Sequence, residues 1–316
     1  MTRVCIIGCG AIGSLYAAHL ARVSEVWTFV RRPEHARDLN AQGLRVSGTH
    51  DFHSRVHATA NPGELPECEF GIVSTKATQT AEALAPVAER LRSAALLSVQ
   101  NGLGSEEVIA GLTHGPVMRG TTFMSGTRIS DTHVKYELDT PTWMGPFEPT
   151  RIPFARVQEL ADLVVAGGLK AIALEDARPA QWSKLIFNAS VNSVAALTDL
   201  PHCRLFAEEQ GFEDLGHLLR ALIDEGKHVA AALGIALHDD PWEMNCVGAR
   251  TDHMPSMLYD VRHRLHTEAD FLGGAIAHEA RRAGISAPLH EALYCLIKGR
   301  ESSWSWKSSA KGEAGD

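Results

Sequence analysis

A lysine and two asparagines recur at four-residue intervals in the run Gln181-Trp182-Ser183-Lys184-Leu185-Ile186-Phe187-Asn188-Ala189-Ser190-Val191-Asn192. The i, i+4, i+8 spacing puts Lys184, Asn188 and Asn192 on one face of a helix, drifting by about 40° per step. Their neighbours are apolar or small, so this face reads as largely buried, and buried polar groups need partners. A negatively charged or carbonyl-bearing ligand would supply them; a polar outer stripe is the competing reading. A second group follows in Pro255-Ser256-Met257-Leu258-Tyr259-Asp260 and Arg264-Leu265-His266-Thr267-Glu268. Ser256 and Glu268 are expected on one long helix, with Glu268 the sole acid between Leu265 and Ala269. An ordinary helix-surface glutamate is the alternative.

Near the start, Gly8-Cys9-Gly10-Ala11-Ile12-Gly13 follows a strand-like run (Arg3 to Ile7) and opens a helix-like one (Ala11 to Arg22). In that setting the first glycine permits a tight turn, the second lets a pyrophosphate approach the backbone, and the third packs helix on strand. Orphan N–H groups at the helix start would hold the phosphates. The second strand, Glu25 to Val30, ends in Val30-Arg31-Arg32, where NAD sites usually carry an acid. Arginine instead offers a forked donor for a 2′-phosphate, so NADPH is expected over NADH, with Arg31 the contact. Lys76, in Ser74-Thr75-Lys76, and Asn101, in Gln100-Asn101-Gly102-Leu103-Gly104, each follow a strand, at the carboxyl edge where a ligand crevice opens. Taken singly, they read as a helix-start lysine and a turn residue.

The elements around these residues alternate. Further strands are expected at Phe70 to Ser74, Ala94 to Val99 and Val117 to Met124, with helices at Thr78 to Leu91 and Ser105 to Leu112. Such alternation predicts a Rossmann-type, doubly wound parallel sheet over residues 1–175. Lys135 to Leu138 and Thr142 to Met144 are expected as extra strands on one edge. Long amphipathic stretches then take over (Gln181 to Leu197, Phe212 to Leu233, Met254 to Ala283), giving an all-helical domain over 176–301. The Ser-, Lys-, Gly- and Glu-rich segment 302–316 is expected to be poorly ordered.

Composition narrows the function. A net charge of −8 with no basic block argues against nucleic-acid binding and weakens a membrane-surface role. No apolar run is long enough to span a bilayer, and the N-terminus reaches glycine too soon for a signal peptide, so a cytoplasmic protein is expected. Six scattered cysteines without a CxxC pair read as reduced, mostly buried thiols, and no histidine pattern suggests a metal.

Taken in order, GCGAIG (Gly8 to Gly13), VRR (Val30 to Arg32), STKATQT (Ser74 to Thr80), QNGLG (Gln100 to Gly104), WSKLIFNASVNSVAALT (Trp182 to Thr198) and PSMLYDV…TEADFLGG (Pro255 to Gly274) are similar to the ketopantoate reductase family, the 2-dehydropantoate 2-reductases. The resemblance spans about residues 3–299. It implies a Rossmann domain joined to a helical domain like that of 6-phosphogluconate dehydrogenase, with NADPH held between them. It further implies that Lys184 is the catalytic proton donor and that Glu268 steadies it while touching the cofactor. Asn188 and Asn192 would bind substrate, Asn101 both nicotinamide and substrate, and Ser256 the substrate carboxylate. Lys76 and, through its backbone, Gly126 would contact the cofactor.

The chain departs from the family on the substrate side. Pro201-His202-Cys203 stands where the family commonly has Pro-Asn-Gly, His253 where pantothenate-pathway enzymes have another asparagine, and Ser193 where a proline usually follows the second helix asparagine. A neutral asparagine both donates and accepts, whereas protonated histidine only donates. A reductase of a 2-oxo acid is therefore expected, with His202 and His253 shifting it away from ketopantoate towards a bulkier acid or one with a second carboxylate; a homodimer is compatible with this. A D-2-hydroxyacid or opine-type dehydrogenase of the same fold and a non-enzymatic NADP-binding sensor are the alternatives.

Overall fold

The computed structural model describes residues 1–205, 213–248 and 254–309. It divides into two units, one of residues 1–100 and 104–177, the other of 101–103 and 178 onward. His253 lies outside the described residues.

The first unit is built on β1 (Arg3–Ile7), whose Val4, Cys5, Ile6 and Ile7 are all buried. Both faces are covered, so the strand reads as a continuous apolar run rather than an alternating one. The other strands are β2 (Glu25–Phe29), β3 (Leu44–Gly48), β4 (Phe52–Ser54), β5 (His57–Thr59), β6 (Phe70–Val73), β7 (Ala95–Ser98), β8 (Val117–Thr122), β9 (Ser125–Ser130), β10 (His133–Leu138), β11 (Thr142–Pro146) and β12 (Ala171–Ala173). Eight form the main sheet in the order β12-β11-β8-β7-β6-β1-β2-β5, parallel throughout except where β11 runs antiparallel to β8. The chain winds outward from β1 to β2 and β5, then returns to β6 on the other side of β1. That reversal is the switch point at which ligands bind in such sheets. Helices α1 (Ala11–Leu20), α2 (Pro33–Gln42), α3 (Thr80–Leu84), α4 (Ser105–Thr113) and α5 (Phe154–Ala166) complete the unit.

Two expectations need correction here. The helix expected over Thr78 to Leu91 is a five-residue α3 flanked by short 3-10 turns. Pro86 has no N–H to donate and its ring would strike the preceding turn, so a continuous helix cannot pass through it. The segment expected as an edge strand near Lys135 is instead β10, in a separate four-stranded sheet ordered β4-β3-β10-β9. It pairs parallel with β3, some 90 residues earlier in sequence, and this sheet packs on α1. The other expected strand, near Thr142, is β11, which does extend one edge of the main sheet beyond β8, with β12 outermost.

The second unit is helical: α6 (Arg178–Thr198), α7 (His202–Leu205), α8 (Glu213–Ala232), α9 (Pro241–Gly248), α10 (Ser256–Arg262), α11 (Gly273–Arg282) and α12 (Pro288–Ser309). Its centre is α6, which buries Trp182, Leu185, Ile186 and Ala189 against α8 to α12. The long helix expected over Met254 to Ala283 is broken. Arg264 takes a left-handed conformation (φ 54°) just past the end of α10, a position that stops a helix. After it come an irregular turn, a 3-10 turn at Ala269–Phe271, and only then α11. Ser256 and Glu268 therefore do not share a helix.

The part of the tail over 302–309 also differs from expectation, because α12 continues through it; residues 310–316 lie outside the described residues. Trp304 packs on the helical core, and the Ser302 and Ser305 hydroxyls donate back to Lys298 O and Ser302 O at 2.9 Å. Among the described residues no helix is long and apolar enough to cross a membrane.

Candidate active site

In the first unit the site begins at the turn between β1 and α1. Gly8 holds φ +89° and donates its N–H to Phe29 O (3.2 Å), while its carbonyl accepts from Ser74 Oγ (2.7 Å). A Cβ on Gly13 would lie 2.0 Å from Gly8 O, so only glycine lets α1 start this close to the turn. A Cβ on Gly10 would meet nothing within 4 Å, which leaves the backbone open to an incoming group. No side chain caps α1, and its first intrahelical bond runs from Ser14 N to Gly10 O (2.9 Å). The N–H groups of Ala11, Ile12 and Gly13 are thus the orphan donors of a helix start, and they fit a phosphate. Cys9 is buried beside Ser14 Oγ at 3.3 Å, and burial pushes its thiol up to about 11, so it stays neutral packing.

At the end of β2 the two arginines part company. Arg32 is paired with Asp131 (2.5 Å), which also holds Arg128, and the ring of buried His35 donates to Asp131 O at 2.9 Å. Arg31 is exposed and has no ion-pair partner among the described residues. Lys76 stands at the carboxyl end of β6, at the cap of a 3-10 turn. Gln100, beyond β7, ties these loops together: its Nε2 donates to Thr75 O (2.9 Å) and Thr80 Oγ1 (2.8 Å). Gly126 lies on β9, where a Cβ would come 2.7 Å from Lys135 O and 3.2 Å from Leu15, so tight packing on β10 and α1 accounts for its size.

The second unit holds the other group. Lys184 Nζ donates to Asn101 Oδ1 at 3.0 Å, and Asn101 Nδ2 donates to Glu268 Oε2 at 3.2 Å. One amide therefore links the ammonium to the buried carboxylate. Burial pushes Lys184 down to about 8, with the Glu268 charge pulling the other way. Asn101 belongs to this unit through residues 101–103: Leu103 N donates to Phe271 O (3.0 Å) and Gln181 Nε2 to Gly102 O (3.2 Å). Asn192 and Ser256 form a separate pair. Asn192 Oδ1 accepts from Ser256 Oγ (3.3 Å) and Met257 N (3.1 Å), pinning the start of α10. Asn188 lies between the two groups on α6, half-buried, with no side-chain hydrogen bond among the described residues. His202 opens α7, buried edge-on against Phe187 at 5.7 Å. The α6 face is thus no solvated stripe.

Gln100, Gln181 and Phe271 were not singled out by sequence. The glutamines lie inside quoted motifs, Gln181 three residues before Lys184 on the same helix face, but a carbonyl acceptor such as Phe271 O has no sequence signal.

Residues 4–149 match the family described as ketopantoate reductase PanE/ApbA, and residues 176–301 match its C-terminal counterpart. The chain belongs to the ketopantoate reductase family. It is accordingly an NADP-dependent oxidoreductase acting on a CH–OH group. A 2-dehydropantoate 2-reductase of Pyrococcus horikoshii is 29% identical over 307 residues, covering 95% of this chain and 98% of its relative. One from Vibrio cholerae is 28% identical over 313 residues, covering 96% and 99%. The crystal structure of a PanE/ApbA family ketopantoate reductase from Ralstonia eutropha superposes with a TM-score of 0.83 at 27% identity, covering 96% and 99%. A D-mandelate dehydrogenase solved with NADH and anilino(oxo)acetate has a TM-score of 0.82 at 21% identity, a likeness of fold alone.

Proposed function

We propose that this ketopantoate reductase family member reduces a 2-oxo acid to the 2-hydroxy acid with NADPH, Lys184 giving the proton. The observation that carries this reading is the Lys184–Asn101–Glu268 chain, in which an ammonium lowered to about 8 is held by an amide and a carboxylate. NADPH, when bound, supplies the hydride. The orphan N–H groups at the start of α1 would hold the pyrophosphate, Gly10 leaves room for it, and Arg31 would take the 2′-phosphate, with Lys76 as a further cofactor contact.

Lys184 Nζ holds a proton that it can place on the substrate oxygen as charge builds there, the role of a positioned acid. Asn101 fixes the direction of that N–H, and the Glu268 charge keeps the ammonium protonated near neutral pH. Asn188 has an unused amide to offer the substrate. Asn192 spends its carbonyl on α10, which leaves its Nδ2 to receive a carboxylate; the Ser256 hydroxyl would join it by turning its one proton from Asn192 Oδ1 to the carboxylate.

Two outcomes follow. The protonated lysine is the active form for reduction, so kcat/KM should be level below pH 8 and fall as pH rises through about 8; a pH profile that stays flat to pH 10 would contradict the assignment. Arg31→Ala should weaken NADPH by roughly ten- to hundredfold, the effect of losing a charge-assisted contact of about 1.5–3 kcal/mol, while NADH is little changed. Titration of both cofactors checks it.

The reaction itself is tested by NADPH oxidation against a panel of 2-oxo acids. The relatives' names favour ketopantoate. His202, buried beside Phe187, the residue that precedes Asn188, favours a bulkier 2-oxo acid or one with a second carboxylate. Ketopantoate ranking first in kcat/KM would make the histidine substitutions silent. Oxidation with no member of the panel would return the protein to the sensor reading.

A further inference from the structure

We propose that Glu301, on α12, is a positioning residue for the proton-transfer group, acting through Thr267 on the turn that carries Glu268. Glu301 Oε1 accepts from Thr267 N at 2.8 Å and from Thr267 Oγ1 at 2.6 Å. Thr267 Oγ1 in turn accepts from Ala269 N at 3.3 Å, so these bonds bracket Glu268 on both sides. Glu301 is buried, and its other neighbours are Lys298 Nζ at 3.2 Å and the largely exposed His266 ring at 3.4 Å.

The same face of α12 grips the far end of the turn. Tyr294 Oη donates to Asp270 Oδ1 (2.6 Å) and Lys298 Nζ to Asp270 Oδ2 (2.9 Å). Tyr294, Lys298 and Glu301 are spaced i, i+4, i+7, one stripe of a helix. Together they hold Thr267 and Asp270, the residues that flank Glu268 and Ala269. Thr267 and Glu268 have no regular structure of their own to fix them, lying between the end of α10 and the 3-10 turn that holds Ala269 and Asp270. A buried carboxylate is a poor choice if packing alone were needed, since an apolar side chain would avoid its desolvation. What a carboxylate adds is two directed bonds to one residue, and so a fixed orientation for the next side chain.

This rests on Lys184 being the proton donor, and the test separates the two. In Glu301→Ala, with NADPH binding retained as measured by fluorescence titration, kcat should fall roughly ten- to hundredfold, the scale of a misplaced catalytic group. Freed from its place, Glu268 would support the ammonium less, so the decline in kcat/KM should begin at lower pH than in the wild type. A merely structural role would lower the folded fraction and leave that pH unchanged. Glu301→Gln keeps a carbonyl for both Thr267 bonds and should restore kcat and the pH profile. If Glu301→Ala does not fold, Thr267→Val removes the hydroxyl bonds and should move the same two quantities in the same direction. A folded Glu301→Ala or Thr267→Val protein with wild-type kcat and pH profile overturns the proposal while Lys184→Met remains inactive. An active Lys184→Met protein overturns the Lys184 reading and this proposal with it.

Discussion

Lys184→Met is expected to lower kcat by roughly 10²- to 10⁴-fold, the range for a positioned general acid, and to make the protein more stable at neutral pH. Methionine keeps an unbranched stem of similar length but carries no proton. Loss of activity should leave NADPH binding in place, because the contacts assigned to the cofactor's phosphates lie in the first unit. The stability change has the opposite sign for a definite reason. The ammonium is held at about 8 in the fold, against about 10.4 for an unfolded lysine. A group whose charged form is disfavoured by folding opposes folding while charged. That opposition is complete below pH 8 and fades as pH rises towards the unfolded value. Removing the charge should therefore raise stability by on the order of 1–3 kcal/mol at pH 7, less at pH 10. Denaturant melts at the two pH values measure it. Turnover above a tenth of wild type would mean that another group protonates the substrate oxygen.

Gly102→Ala should be nearly as damaging, without touching a reacting atom. Gly102 sits at φ +89°, and a Cβ there would lie 2.0 Å from Phe271 O. A left-handed alanine costs about 1–2 kcal/mol, and the clash adds the roughly 1–3 kcal/mol typical of overpacking. The strand-end loop must then shift, and with it Asn101, the residue that joins Lys184 to Glu268. A displacement near 1 Å is enough for a loss of about 10² in kcat/KM. Gly111→Ala is the matched control: it is exposed on α4, its Cβ would meet nothing within 4 Å, and alanine favours the helix. Similar kinetics for the two variants would show that the loop does not set the geometry of Asn101.

Much of the first unit was legible because its determinants are local. A glycine that must turn, one that must stay open and one that must let a helix approach occur within six residues, and the strand before them is apolar throughout. The same holds for the helix bearing Lys184, Asn188 and Asn192, where a spacing of four in a mostly apolar run is a property of one segment. The breaks were less legible. Pro86 was a readable stop just past the end of α3, whereas nothing local marks Arg264 as left-handed or separates β10 from the main sheet.

By itself, then, the sequence determined the glycine turn between β1 and α1, the arginine that stands at the end of β2 in place of an acid, and which residue types share the α6 face. These follow from backbone sterics and helical period, which act over a few residues. Only the tertiary structure decided that Asn101 leaves the sheet domain's strand end to join the helical unit, that Glu268 stands on an irregular turn, and that Glu301 holds that turn. Those three facts depend on hydrogen bonds between residues 83, 167 and 34 positions apart. Such bonds form only after packing has brought their elements together, and no periodicity in the chain encodes them.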